Sequence, residues 1–210
     1  MFRGLLRYDD ALREHMRSNL AAFERHPHRE EGLHPAAVAL ALIADAENRP
    51  CFLITRRAAD LGSHGGQWAP PGGRIDEGES AEQAALRELD EEVGLALSPE
   101  NVLGLLDDYP TRSGYVITPV VVWSGPKRTL VPNPAEVAAV YRVPLAELDR
   151  PDVPRLRRIP QSERPVISVP LLGTHVHAPT AAILYQLREV ALRGRATRVA
   201  EFEQPVFAWR

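Results

Sequence analysis

The chain has 210 residues, of which 44% are hydrophobic and 25% charged, with a formal net charge of −3. That length suits one large domain with a sizeable core, and the balance is that of a soluble globular protein without the electrostatic footprint of a nucleic-acid binder. A single cysteine, Cys51, rules out an internal disulfide, and no apolar run approaches membrane-spanning length.

In chain order, residues 1–7 lack the sustained apolar stretch and cleavage site of a secretory signal, so a cytoplasmic location is expected. Leu12, Met16, Leu20 and Phe23 recur at helical spacing and predict an N-terminal amphipathic helical extension over about residues 8–25. His26, His28 and His34 read as part of a Pro-containing surface connection, because no cysteine or clustered carboxylate accompanies them at ligand spacing.

Residues 36–44 and 50–56 predict two apolar strands around the turn Asp45-Ala46-Glu47-Asn48, with Cys51 buried in the second. Residues 116–123 predict another strand, in which Pro119 marks an edge or an irregularity. Residues 137–143 form a shorter candidate. Residues 151–170 are rich in Pro and Arg and read as a long loop and candidate substrate lid. A helix is expected over residues 179–194, with Ile183, Leu184, Leu187 and Ala191 inward and Gly194 as its stop. Residues 199–209 read as a final strand, and the two terminal segments leave a homodimer open.

The most informative stretch is residues 73–95. Glu88, Asp90, Glu91 and Glu92 place four carboxylates in five positions. Like charges three or four apart destabilise a helix, and a hard divalent cation such as Mg2+ is the natural remedy, since it takes carboxylate and phosphate oxygens. On a helix Glu88, Glu91 and Glu92 share a face, while Leu86, Leu89 and Val93 form the opposite, core-facing stripe. Ser80 and Gln83 have capping-box spacing, and Gly94 suits the left-handed position past the helix end. Arg87 reaches Glu91 at i+4, and Glu79 stands where the helix macrodipole favours a negative charge.

Gly73, Glu79, Arg87-Glu88, Glu91-Glu92, Gly94 and Leu95, at their present spacing, match the Nudix box at every position. The chain therefore resembles the Nudix hydrolases. The resemblance implies an α/β fold, the Nudix-type α/β/α sandwich with a mixed β-sheet, and metal-dependent hydrolysis of a nucleoside diphosphate linked to another group. It implies Glu88, Glu91 and Glu92 as metal-binding carboxylates for Mg2+ or Mn2+, the Gly73 carbonyl as a further ligand, and Arg87 with Glu79 as the pair orienting loop and helix. The base is either a box glutamate or one from a later loop. Glu136 is the later-loop candidate, as ligand or base; an exposed loop acid is the alternative reading.

Ahead of the box, Arg57, Leu61, His64, Gly66, Gln67, Pro71, Gly72, Gly73 and Asp76 resemble the additional motif of the coenzyme A pyrophosphatase branch, while Gly62 and Pro70 depart from it. That likeness implies coenzyme A, or a derivative, as substrate, giving 3',5'-ADP and 4'-phosphopantetheine. Gly62 stands where the branch carries an arginine, the natural partner of phosphate. The alternatives are a diphosphatase for ADP-ribose or another nucleotide, and a nucleotide-sensing module that does not hydrolyse. Arg56, Arg57, Arg74 and Arg112 are candidate phosphate contacts, and His64 is a candidate for orienting substrate. Trp68 and Tyr115 read either as base-stacking rings or as core. The partner expected is a small-molecule nucleotide, with neither nucleic acid nor membrane.

Overall fold

A computed structural model of the protein describes residues 7–28, 30–58, 66–125 and 128–209. Helix α1 (Asp10–Ala21) starts at Asp9, whose side chain accepts the Leu12 N–H at 3.0 Å, and buries Leu12, Met16 and Leu20. Strands β1 (His34–Ala44) and β2 (Pro50–Arg57) pair antiparallel, with Asn48 at φ 60° in their turn. Two short strands, β3 (Trp68–Ala69) and β4 (Gly72–Arg74), lead into helix α2 (Ala81–Val93). Then come β5 (Val102–Leu105), β6 (Tyr109–Pro110), β7 (Tyr115–Trp123) and β8 (Val137–Pro144). Strands β9 (Arg155–Ile159), β10 (Ser162–Leu171) and β11 (Thr174–His177) precede helix α3 (Thr180–Leu187).

The main sheet has the order β3-β2-β1-β7-β5, with β4 on β1, β6 on β7 and β8 on β2. Strands β1 and β7 run parallel while the other pairings are antiparallel, so the sheet is mixed. Side chains alternate across it with the two-residue period of a strand. Ala37, Ala39, Ala41 and Ile43 of β1 face α2, together with Cys51 and Leu53 of β2. Leu40, Leu42, Phe52 and Ile54 face the opposite core, where α1 and α3 pack. The three alanines let α2 lie close to the sheet. Two apolar layers on either side of one sheet make this an α/β sandwich with both faces covered.

Several expectations change here. Residues 151–170 are not a lid loop: most of them form β9 and β10, which with β11 build a second, three-stranded sheet. Ile167, Val169, Leu171 and Val176 of that sheet are core residues, whereas the arginines of β9 sit on its exposed edge. The prolines mislead because Pro165 falls where the register shifts between Ser162 and Val166, so it interrupts the ladder without ending the strand.

Residues 199–209 do not form a strand either. They make one parallel bridge, Glu203 with Val166, and then a 3₁₀ turn, Val206–Ala208, after Pro205, which has no N–H to extend a ladder. Strand β7 is interior, not an edge. The Pro119 carbonyl accepts from Leu106 at 3.0 Å, so its nitrogen points to the same side, into the break between β5 and β6 where no partner is lost. Helix α3 continues as a π-helical segment, Arg188–Leu192, before Gly194 at φ 61°. Buried Arg188 occupies that junction, donating to the Leu148 and Val153 carbonyls at 2.8 and 2.7 Å. No described helix is long and apolar enough to cross a membrane.

Candidate active site

Helix α2 and the chain leading into it build the site. The Ser80 side chain accepts the Gln83 N–H at 3.2 Å, the Gln83 side chain accepts the Ser80 N–H at 2.8 Å, and Gly94 closes the helix at φ 65°. Ala84, Ala85, Leu86, Leu89 and Val93 are buried on the sheet side. This fixes the rotation of the helix and hence the direction of every carboxylate on it.

Arg87 is the hub of the exposed side. Its Nε and Nη2 hold Glu79 in a two-point pair at 3.0 and 3.1 Å, and Nη2 also donates to the Arg74 carbonyl at 3.0 Å. Its Nη1 donates to Glu88 at 2.8 Å and to Glu91 at 3.0 Å. The Arg87 hydrogen bond is the main cause holding the Glu79 carboxyl below its usual range. Loop and helix are thus tied by one guanidinium that also spans two box glutamates.

Glu92 turns the other way. It is 3% exposed and lies 3.6 Å from the Arg57 guanidinium. Burial pushes its carboxyl up to about 7 against the opposing charge of Arg57, and the charges of Glu88 and Glu136 push the same way. The Glu88 carboxyl is raised chiefly by burial as well, with Arg87 opposing and Glu91 and Glu136 adding to the rise. Glu136 therefore stands close enough to act electrically on both. Its carboxylate accepts from Asn133 Nδ2 at 3.0 Å, its carbonyl accepts from Ala58 at 2.9 Å, and Asn133 donates its N–H to the Glu92 carbonyl at 2.9 Å.

Gly73 touches this cluster directly: a Cβ there would lie 2.2 Å from a Glu88 carboxylate oxygen. Among the described residues no three carboxylates stand in a ready-made metal cage, since Glu88 and Glu91 are drawn onto Arg87. The chemistry of the set nonetheless fits a hard dication. Glu88, Glu91, Glu92 and Glu136 supply only oxygen donors, two of them are desolvated beside like charges, and the glycine leaves its backbone bare against Glu88.

A cleft of about 380 Å³ opens beside Gly73. Arg57, Trp68, Arg74 and Tyr115 line it, so the two rings weighed as stacking or core are both at its wall, half-buried. Arg74 donates to the Tyr115 hydroxyl at 2.8 Å and lies over that ring at 5.5 Å. Arg56 is exposed, 6.0 Å over the Trp68 ring. Arg112 is paired with Glu203 at 3.2 and 2.5 Å and lies over Trp209. His64 and Gly62 lie outside the described residues.

Sequence reasoning missed Asn133 as the holder of Glu136 and missed Thr180, Gln204 and Ala208 as cleft walls. It also missed the role of Asp107 and Asp108, both buried. Asp107 accepts from the His26 N–H, Gln186 and Arg198; Asp108 accepts from the His28 N–H, Arg25 and Thr118. The adjacent acids were a visible signal, but apart from Thr118 their partners come from distant parts of the chain.

The chain belongs to the NUDIX domain family, whose profile matches residues 33–162. It is 44% identical over 113 residues to a protein from Photorhabdus laumondii named "Uncharacterized Nudix hydrolase NudL", a match covering 53% of this chain and 59% of that one. A protein of the same name from Pectobacterium atrosepticum is 46% identical over 101 residues, covering 47% and 52%. The chain thus spans between half and three fifths of the length of these curated relatives. Among solved structures, a MutT/nudix family protein from Enterococcus faecalis superposes with a TM-score of 0.53 at 18% identity, covering 81% of this chain and 66% of that one. The Nudix hydrolase RenU from M. smegmatis gives 0.50 at 24%, covering 79% and 90%. At these identities the structures speak for the fold alone.

Proposed function

We propose that this protein is a diphosphatase that uses Mg2+ or Mn2+ to split a nucleoside diphosphate-linked small molecule, with coenzyme A or a derivative as the first candidate substrate. The observation that carries the reading is the clustering of Glu88, Glu92 and Glu136, with Glu88 against Gly73, a residue that lines a cleft together with Arg57 and Arg74. The whole chain acts as one domain, in the cytoplasm, on a small-molecule nucleotide.

Glu88, Glu91 and Glu92, with the Gly73 carbonyl, would hold the metal. When bound, the metal neutralises the diphosphate and lowers the pKa of its water. Arg57 and Arg74 at the cleft wall supply guanidinium donors suited to phosphate oxygens. Glu136, held by Asn133 and facing the cluster from outside the helix, takes the proton as water attacks phosphorus. The new P–O bond to water forms as the bridging P–O bond breaks, and the released phosphate carries the electron pair. Arg87 keeps loop and helix in register, and its hydrogen bonds to Glu88 and Glu91 would have to loosen for those carboxylates to hold a metal.

The test is a chromatographic product assay on purified protein with coenzyme A, ADP-ribose, NADH, diadenosine polyphosphates and nucleoside triphosphates, each with Mg2+ and Mn2+. The expected result is 3',5'-ADP from coenzyme A at a rate above the others. Turnover of a different diphosphate alone would discard coenzyme A and keep the reaction. Saturable nucleotide binding without turnover of any compound would overturn the hydrolytic reading in favour of a sensor.

A further inference from the structure

The cleft is not closed by the family-matched residues. Arg57, Trp68 and Arg74 fall within residues 33–162, but Thr180, Gln204 and Ala208 lie beyond them. The last two belong to the C-terminal segment, which walls the cleft as a strap instead of joining the sheet as a strand.

The strap is anchored at its base. Glu203, 3% exposed, accepts from Nε and Nη2 of Arg112 and from the Ser162 hydroxyl at 2.9 Å. Its hydrogen bonds with Arg112, Ser162 and the Gln204 N–H outweigh burial and hold its carboxyl below the ordinary range. The Tyr109 hydroxyl donates to the Phe202 carbonyl at 2.8 Å, and Trp209 Nε1 donates to the Gln204 carbonyl at 2.9 Å.

Gln204 is held more closely still. The backbone N–H of Arg112 points at its amide from 2.6 Å, and an N–H can only donate, so the atom facing it is Oε1. The amide is therefore fixed with Nε2 on the remaining side. Among the described residues no hydrogen bond is made by Nε2, and it is not among the fully buried side-chain atoms that lack one, so in this cleft-lining residue it is the end of the side chain that solvent reaches. An amide whose acceptor is fixed by the backbone and whose two donors are open to the cleft can exchange water there for an acceptor on a ligand.

We propose that Gln204, positioned by the Arg112–Glu203 pair, is a specificity-determining residue: its Nε2 donates to a base acceptor of the nucleotide half of the substrate, which the strap walls into the cleft. The assignment rests on the reading of this cleft as a nucleotide site. Because the strap lies outside the family match, substrate choice is set by residues that the box does not report.

The probe is AMP, titrated calorimetrically into the full chain in Mg2+, alongside steady-state kinetics on whichever diphosphate the chain cleaves. Gln204→Leu removes the donors. Gln204→Glu keeps the shape and the acceptor for the Arg112 N–H while replacing the donors, so it decides the matter if the leucine variant fails to fold. Each is expected to weaken AMP binding about fivefold to tenfold, the worth of one neutral hydrogen bond, and to raise KM by a like factor with kcat kept. Leu156→Ala, on the exposed edge of the second sheet, leaves both unchanged. AMP binding equal to wild type in both Gln204 variants overturns the assignment. A wild-type chain that cleaves diphosphates but does not bind AMP overturns it too, while sparing the hydrolytic reading. Binding that weakens in the variants of a chain without turnover upholds it and removes the hydrolytic reading instead.

Discussion

Gly72 and Gly73 are neighbours in one short strand, yet replacing each by alanine should produce opposite phenotypes. Neither has a positive φ, so the difference comes from what a methyl group would meet. At Gly72 it would lie 2.4 Å from the Ala37 carbonyl oxygen and 2.8 Å from Val38 Cα, both backbone atoms of the central strand. These cannot yield without bending β1, and overpacking of this kind costs about 1–3 kcal/mol. For a chain of this size that lowers the melting temperature by about 2–12 °C.

At Gly73 the three atoms nearest the methyl would all belong to the Glu88 carboxylate, with its oxygens at 2.2 and 2.9 Å. That carboxylate ends a flexible side chain and can swing away. It gives up its 2.8 Å bond to Arg87, a half-exposed guanidinium with other partners, so the stability loss stays under about 1 kcal/mol. A displacement of about 1 Å at a reacting centre costs about a hundredfold in rate. Thermal melts of the metal-free variants, paired with steady-state hydrolysis in Mg2+, should therefore show Gly72→Ala destabilised and Gly73→Ala stable but crippled. A Gly73→Ala enzyme within threefold of wild-type turnover, or a Gly72→Ala protein that melts with the wild type, would refute the reasoning.

Glu91→Gln and Glu92→Gln should each cut turnover by about a hundredfold or more with little change in folding; near-normal activity in a folded, metal-saturated variant sinks the ligand assignment. Removal of metal with EDTA should abolish hydrolysis, and excess Mg2+ or Mn2+ should restore it; activity persisting after exhaustive chelation contradicts the proposed chemistry. Asp108→Ala strips the acceptor from Arg25, Thr118 and the His28 N–H, and should cost about 3 kcal/mol in urea unfolding; a loss under about 1 kcal/mol would show the network to be dispensable. Glu203 has a depressed folded pKa, so its stabilisation is complete above its ordinary range near 4.5 and fades as pH falls through the lower folded value. Melts taken down the acid limb should show a shallower decline for Glu203→Gln than for wild type; parallel curves would remove Glu203 as a source of acid sensitivity.

The helix carrying the box was legible in the sequence because each of its determinants is local. The Ser80–Gln83 box, the Leu86, Leu89 and Val93 stripe, Gly94 and the i+4 reach of Arg87 all act within two or three turns. The apolar runs of β1, β2, β7 and β8 were legible for the same reason, since alternation and length are properties of a few adjacent residues. Legibility stopped where partners lie far apart along the chain. The arginines and prolines between residues 151 and 170 look like a loop until β10 is seen to gain β9, β11 and a core beneath it. The last residues look like a strand until Pro205 and the pairing of Glu203 with Arg112 turn them across the cleft.

The sequence by itself determined that Glu88 and Glu91 would stand on the exposed side of a capped helix, because helical periodicity and capping chemistry leave little choice, while the place of Gly73 beside them came from the resemblance to the Nudix box. Tertiary structure alone decided what stands opposite them. Whether Glu92 faces solvent or Arg57, whether Glu136 comes within electrical reach of Glu88, and which donor looks into the cleft all depend on chain segments brought together across the sheet. Those contacts are made only once both apolar layers have packed, and no short window of sequence encodes them.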